Sequence, residues 1–146
     1  MASKLVTKGG LVALILVFVI SSLAQPGYCI YWNWKYHVHL WNRLSDTKQP
    51  LFVHVRSKND DFREQAIWQK DDYQFHFKIN FWETTLFYCT FRHGNKVKTF
   101  NIFVHGDRWS ESKVCKHPNR TVYWRAYDNG FYRSCDNFHY FLMQLW

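Results

Sequence analysis

Residues 73–79 read Tyr-Gln-Phe-His-Phe-Lys-Ile, apolar and polar in strict alternation. Successive side chains of a β-strand point to opposite faces, so such a stretch buries Tyr73, Phe75, Phe77 and Ile79 and wets Gln74, His76 and Lys78; a helix needs a period of 3.6 instead. The same rhythm recurs from Tyr36 onward. Tyr36, Val38 and Leu40 point inward with His37 and His39 outward, and Leu51, Val53 and Val55 point inward within residues 51–56. Residues 86–92 and 96–104 flank His93-Gly94-Asn95 and read as a hairpin, with Phe87, Cys89, Phe91, Phe100, Ile102 and Val104 inward. Residues 121–127 and 131–134 form a second hairpin around Asp128-Asn129-Gly130, with Val122, Trp124 and Ala126 on one face, and a last strand falls within 138–144. The expectation is an all-β fold, a small antiparallel β-sandwich of about seven to eight strands in two sheets. Two connections, residues 57–72 and 105–120, are longer than hairpin loops and draw attention as functional or stapled segments.

The amino terminus reads as an address. Lys4 and Lys8 precede an apolar run over residues 11–20, and Ser22-Leu23-Ala24 supplies small residues for cleavage. A run of that length is about half of the roughly 20 residues that a membrane-spanning helix needs. A signal peptide over residues 1–24 and one domain over 25–146 are expected, hence a secreted, extracellular protein without stable membrane insertion. Loss of Lys4 and Lys8 leaves 17 of the 19 Lys and Arg against 11 Asp and Glu, a net charge of about +6.

Such a charge favours acidic cell walls, anionic membranes or nucleic acid as incidental partners. It is scattered, however, with Asp60, Asp61, Asp71 and Asp72 interrupting the basic stretches, so nucleic acid is not expected as a partner. The aromatic content of 21%, with eight Trp, fills a small core or serves sugar stacking.

Four cysteines, Cys29, Cys89, Cys115 and Cys135, all follow the cleavage point. In a secreted chain they imply two disulfides in one of three connectivities. Zinc is disfavoured because no Cys-x2-Cys or Cys-x2-His spacing occurs, and His37 and His39 lack a third ligand nearby. Asn119-Arg120-Thr121 is a glycosylation sequon, which makes Asn119 a surface acceptor.

Catalysis finds no constellation. Val104-His105-Gly106-Asp107-Arg108-Trp109 faintly resembles one histidine segment of T2-type ribonucleases, but the second histidine segment is missing and the domain is too short for that fold. Asp60 with Asp61, and Asp71 with Asp72, are adjacent acids whose side chains diverge, so they cannot flank one glycosidic bond. No phosphate-cradling glycine loop and no Gly-x-Ser-x-Gly occurs. Neither an enzyme nor a cofactor is expected.

"VHVRSKNDD" at residues 53–61, "YQFHFKINFWETTLFYCTF" at 73–91 and "VYWRAYDNGFY" at 122–132 occur in an order and spacing that resemble the plant self-incompatibility protein S1 family, the S-protein homologues. The matching positions are Ser57 to Phe62, Asn80-Phe81-Trp82, Thr85 to Cys89, and Val122 to Trp124 with Asn129-Gly130. The resemblance covers roughly residues 36–134. It implies a secreted β-sandwich without cofactor, one member of which is a stigma-borne ligand that arrests incompatible pollen. Val55 and Val122 stand where the family usually has cysteines, and both point inward by the alternation. The resemblance therefore implies that Val55 and Val122 replace a bridge, that Cys89 pairs with Cys115, and that Cys29 and Cys135 form an extra bridge.

The function so implied is an extracellular recognition or signalling ligand, monomeric, whose partner is a cell-surface receptor protein. Residues 58–64 and 106–113 are the loops expected to touch it, with Arg63, Arg108 and Trp109 as contacts because Arg and Trp dominate binding hot spots. A defence or wall-associated protein is the alternative. It would bind polysaccharide or membrane surfaces through outward Trp41, Tyr123 and Tyr127.

Overall fold

A computed structural model describes residues 35–79, 84–108 and 120–146. The chain divides into two compact units, Met1–Trp32 and Asn33–Trp146. The first unit, with the expected cleavage point and Cys29, lies outside the described residues.

Within the second unit the described residues form nine strands: β1 Lys35–Asn42, β2 Leu51–Arg56, β3 Asp61–Ile67, β4 Asp72–Lys78, β5 Leu86–His93, β6 Lys96–Val104, β7 Thr121–Tyr127, β8 Gly130–Ser134 and β9 Phe141–Gln144. They make a five-stranded sheet in the order β4-β1-β7-β8-β9 and a four-stranded sheet in the order β3-β2-β5-β6. The alternating residues meet between the sheets. Tyr36, Val38, Leu40, Phe75, Phe77, Val122, Trp124 and Ala126 are buried from one side, and Leu51, Val53, Val55, Phe87, Cys89 and Phe91 from the other. Phe77 sits 4.3 Å from Phe87 and 4.7 Å from Phe103, centroid to centroid. Burying each such ring contributes about 1.5–3 kcal/mol, which explains why the aromatic wealth goes largely into the core.

Three local features differ from the sequence expectation. First, residues 57–72 are not one long loop, because β3 occupies their middle and pairs antiparallel with β2. Its sequence Asp-Phe-Arg-Glu-Gln-Ala-Ile lies at a sheet edge, where only Ile67 is fully buried and Phe62 packs 5.1 Å from Phe75. An edge strand has little apolar rhythm to show. Secondly, the β5–β6 register slips between Phe87 and Tyr88, so Phe87 faces Phe103 while Tyr88 faces Asn101. The bulge buries consecutive Ile102 and Phe103 and leaves Val104 only half-buried, correcting the expected inward Val104. Thirdly, β1 and β7 pair in parallel, so the larger sheet is mixed rather than antiparallel. A parallel pair requires a long crossover, and the five strands between them supply it.

Candidate functional site

The sandwich has two ends of different construction. At one, β2, β4 and β6 finish and β1, β3, β5 and β7 begin; this is the Ser57 end. Residues 57–60 there form a self-sealed turn. Ser57 Oγ accepts from the amides of Asn59 and Asp60 and donates to Asp60 Oδ2 at 2.8 Å, while the Ser57 amide donates to the Asp60 carbonyl. Small hydroxyl and carboxylate side chains stabilise such turns by replacing backbone partners. Beside the turn, His54 Nε2 lies 2.6 Å from Asp61 Oδ1, which also accepts the Arg63 amide. Those two hydrogen bonds, the histidine's first, hold the Asp61 carboxyl below its ordinary pKa.

Arg63 is exposed at the bulge where the β2–β3 register slips, with a left-handed φ of 57°. Arg108 is exposed beyond the end of β6. The strand order puts these two arginines at the same end of the four-stranded sheet, at its opposite margins, about 14 Å apart in strand spacings. At this end opens a cleft of about 690 Å³, lined by the 57–60 turn, Phe62, His76, Phe77, Lys78 and residues 84–88. Its floor is apolar and its rim carries Lys58 and Lys78. Trp109, the third expected contact, lies outside the described residues, as do Asn119 and Asn80-Phe81-Trp82.

The cysteines require a correction. Cys89 is a buried free thiol, so the expected Cys89–Cys115 bridge is not formed. It faces the core, directly across from Val55 on the neighbouring strand, and burial pushes its pKa up. Cys135 is disulfide-bonded; Cys29 and Cys115 lie outside the described residues. Val55 and Val122 are both fully buried, one in each sheet.

The ribonuclease-like fragment is built into the frame. The His105 amide donates to the Thr85 carbonyl, and Asp107 Oδ2 lies 3.2 Å from Arg133 Nη1, whose side chain is 3% exposed. Burial lowers the Arg133 pKa and Asp107 opposes that shift. Such a pair anchors the segment leaving β6. Among the described residues no group of three or more His, Cys, Asp or Glu is placed to hold a metal. Among them, too, no helix is long and apolar enough to cross a membrane.

A second surface was visible only in pieces. The outer face of the five-stranded sheet sets His76 beside His37, Gln74 beside His39 and Tyr123, and Asp72 beside Trp41, Arg125 and Tyr132. His39 stacks on Tyr123 at 5.1 Å and lies 2.8 Å from Asp72. The Arg125 guanidinium lies 3.9 Å over the Tyr140 ring. Alternation assigns His37, His39, Trp41, Gln74, His76 and Tyr123 outward. It cannot reveal that β4, β1 and β7 are neighbours.

Residues 37–146 match the family model described as plant self-incompatibility protein S1. S-protein homolog 5 of Arabidopsis thaliana is 39% identical over 66 residues, which cover 45% of this chain and 49% of that protein. S-protein homolog 20 of Arabidopsis thaliana is 30% identical over 104 residues, 70% of each chain. Self-incompatibility protein S1 of Papaver rhoeas is 26% identical over 95 residues, 65% of each chain. The chain thus spans from about half to 70% of the length of these relatives. A solved structure of self-incompatibility protein homologues, described as a widespread family of small, highly stable, secreted proteins from plants, superposes with a TM-score of 0.53 at 23% identity. It covers 77% of this chain and 94% of its own. That likeness agrees with the two-sheet all-β architecture, and the family match spans every described strand but the first two residues of β1. The chain belongs to the plant self-incompatibility protein S1 family.

Proposed function

We propose that this protein is a secreted, non-catalytic plant ligand that carries a signal between cells by binding a cell-surface receptor protein. The observation that carries the reading is the family match over residues 37–146. The Ser57 end supports the location of the contact, because Arg63 and Arg108 are exposed there and Phe62, next to Arg63, lines a cleft with Phe77 and Phe87, and arginine beside apolar surface is the common composition of a binding hot spot. Positive charge raises the rate of encounter with an acidic receptor surface.

In this reading residues 1–24 are a signal peptide removed on export, residues 25–146 are one monomeric domain, and Asn119 carries a glycan. Trp109 joins the two arginines as a contact, and Cys29 bridges Cys135. The protein acts outside the cell, without cofactor, nucleic acid or membrane insertion.

The test applies oxidised residues 25–146 to candidate plant cells while calcium entry is followed. A response that saturates at nanomolar protein in one cell type is expected, together with unchanged signalling by His105→Ala. Silence across tissues, or RNA cleavage lost in His105→Ala, would sink the reading.

A further inference from the structure

The outer face of the five-stranded sheet combines three features that the core does not need. Rings line it: Trp41 on β1, Tyr123 and Tyr127 on β7 and Tyr132 on β8, all half-buried. Fixed cations surround them, with Lys35 and Lys78 paired across β1 and β4, Arg125 between Trp41 and Tyr132, and the Arg43 guanidinium 4.8 Å over the Trp41 ring. Histidines fill the middle: the His37 and His76 rings are 5.8 Å apart, with His39 next along β1. The carboxylates facing this group are Asp72, which His39 engages, Asp71 beside it in the adjoining groove, and Asp136 at the rim, which His139 engages. The Trp41 indole N–H is buried without a hydrogen-bond partner among the described residues, beside a groove of about 530 Å³ lined also by Lys70, Asp71, Asp72 and Tyr73.

We propose that this face binds an acidic polysaccharide of the uronate class, with Trp41, Tyr123 and Tyr127 carrying the C–H faces of sugar rings and Lys35, His37, His76 and Arg125 meeting carboxylates. Charge complementarity selects a polyanion. A lipid surface fits less well, because strands β4, β1 and β7 carry no exposed large apolar side chain, and Leu142, paired with Tyr132, stands at the edge strand β9. A nucleic-acid strand presents a phosphate about every 3.4 Å and demands a continuous row of Lys or Arg; here Lys35, Lys78, Arg43 and Arg125 are separated by rings and histidines.

His37 gives the site a pH dependence. His37 has its pKa lowered, first by burial and then by His76, Lys35 and His39. It is therefore neutral at pH 7, and a bound carboxylate favours its protonated form. Binding then takes up protons and tightens as pH falls toward 5, where uronate carboxyls are still ionised.

The experiment passes oxidised residues 25–146 over immobilised de-esterified polygalacturonate. Retention at pH 5.5 is expected to be salt-sensitive and about tenfold stronger than at pH 7.5. His37→Gln should lose most of that pH dependence, and Lys35→Glu/Arg125→Glu should weaken binding about tenfold. Tyr123→Ser/Tyr127→Ser should weaken it at unchanged charge, and Tyr123→Phe/Tyr127→Phe, which keeps the rings, should not. Arg63→Glu/Arg108→Glu, at the Ser57 end, should retain nearly full binding. Equal retention on highly methyl-esterified pectin, on dextran sulfate or on phosphatidylserine vesicles would overturn the uronate assignment. A loss confined to the Arg63/Arg108 variant would overturn the placement of the site.

Discussion

The two ends of the sandwich are held by different chemistry. Opposite the Ser57 end, at the Asn42 end, a fully buried Asn42 side chain donates to the Ile67 carbonyl at 2.8 Å and accepts from the Leu44 amide at 3.0 Å. Its backbone accepts from Lys70 and donates to Asp71, and the next amide, of Arg43, donates to the Ala126 carbonyl. Asp128 accepts from the Ser45 amide, and Gln69 Nε2 donates to the Leu44 carbonyl. One asparagine thus ties the β1–β2 loop to the β3–β4 turn, and its neighbours tie in the β7–β8 turn. At the Ser57 end the turn bonds mainly to itself, Arg63 and Arg108 are exposed, and Lys58 and Lys78 line a cleft. Where loops cross-link, substitutions cost stability; where a turn is self-contained, its surroundings can change without unfolding the frame. That asymmetry fits the proposal that recognition lies at the Ser57 end.

Replacing Asn42 should break the comparison most severely. Asn42→Leu strands two buried partners and should cost about 3 kcal/mol in denaturant unfolding. A loss below about 1 kcal/mol would mean that water replaces the hub. Trp124→Phe removes the indole donor to the Ile102 carbonyl, 3.0 Å away at the β6 bulge, and should cost about 1–2 kcal/mol. Cys89→Val fills the site opposite Val55 with a similar volume and should cost under about 1.5 kcal/mol. The native thiol should also resist thiol reagents until the protein unfolds, and rapid native labelling would contradict a buried free cysteine. Ser57→Ala removes the turn's acceptor and should cost only about 0.5–1 kcal/mol, well below Asn42→Leu.

The smallest effect concerns acid. Asp61 is held below its ordinary pKa by His54 and then by the Arg63 amide, and Asp136 likewise by His139. A carboxyl lowered in the folded state contributes stability that is complete above its unfolded pKa of about 4 and is lost as pH falls through the folded value. Both carboxylates are near the surface, so the contribution is small. Carboxyl-carbon titration by NMR should give Asp61 a midpoint below 3.8. A midpoint at or above that value would remove the His54 contact.

The sequence carries the strands wherever one face is buried and the other wet, as in residues 36–40, 51–55 and 73–79. It is silent on β3, whose edge position removes the alternation, and on the bulge at Ile102 and Phe103, because one extra residue shifts the burial phase without changing composition. The parallel β1–β7 pairing leaves no local trace either; it depends on five intervening strands. Arg63 and Arg108 were legible as exposed residues; that Arg63 sits at a bulge within β3 rather than in a loop, and that the two share one sheet end, follows only from topology. The expected Cys89–Cys115 pairing came from family pattern alone, and the free thiol of Cys89 shows how little an even cysteine count says about partners.

The central claim is that recognition lies at the Ser57 end and the frame at the Asn42 end. It is tested most directly by saturable binding of labelled residues 25–146 to responsive plant cells, comparing Arg63→Glu/Arg108→Glu with Lys48→Glu/Lys70→Glu, a charge reversal of equal size at the Asn42 end. The account predicts that the first pair loses binding about tenfold or more with its thermal unfolding unchanged, while the second binds normally. Equal losses in both pairs, or none in the first, would contradict it.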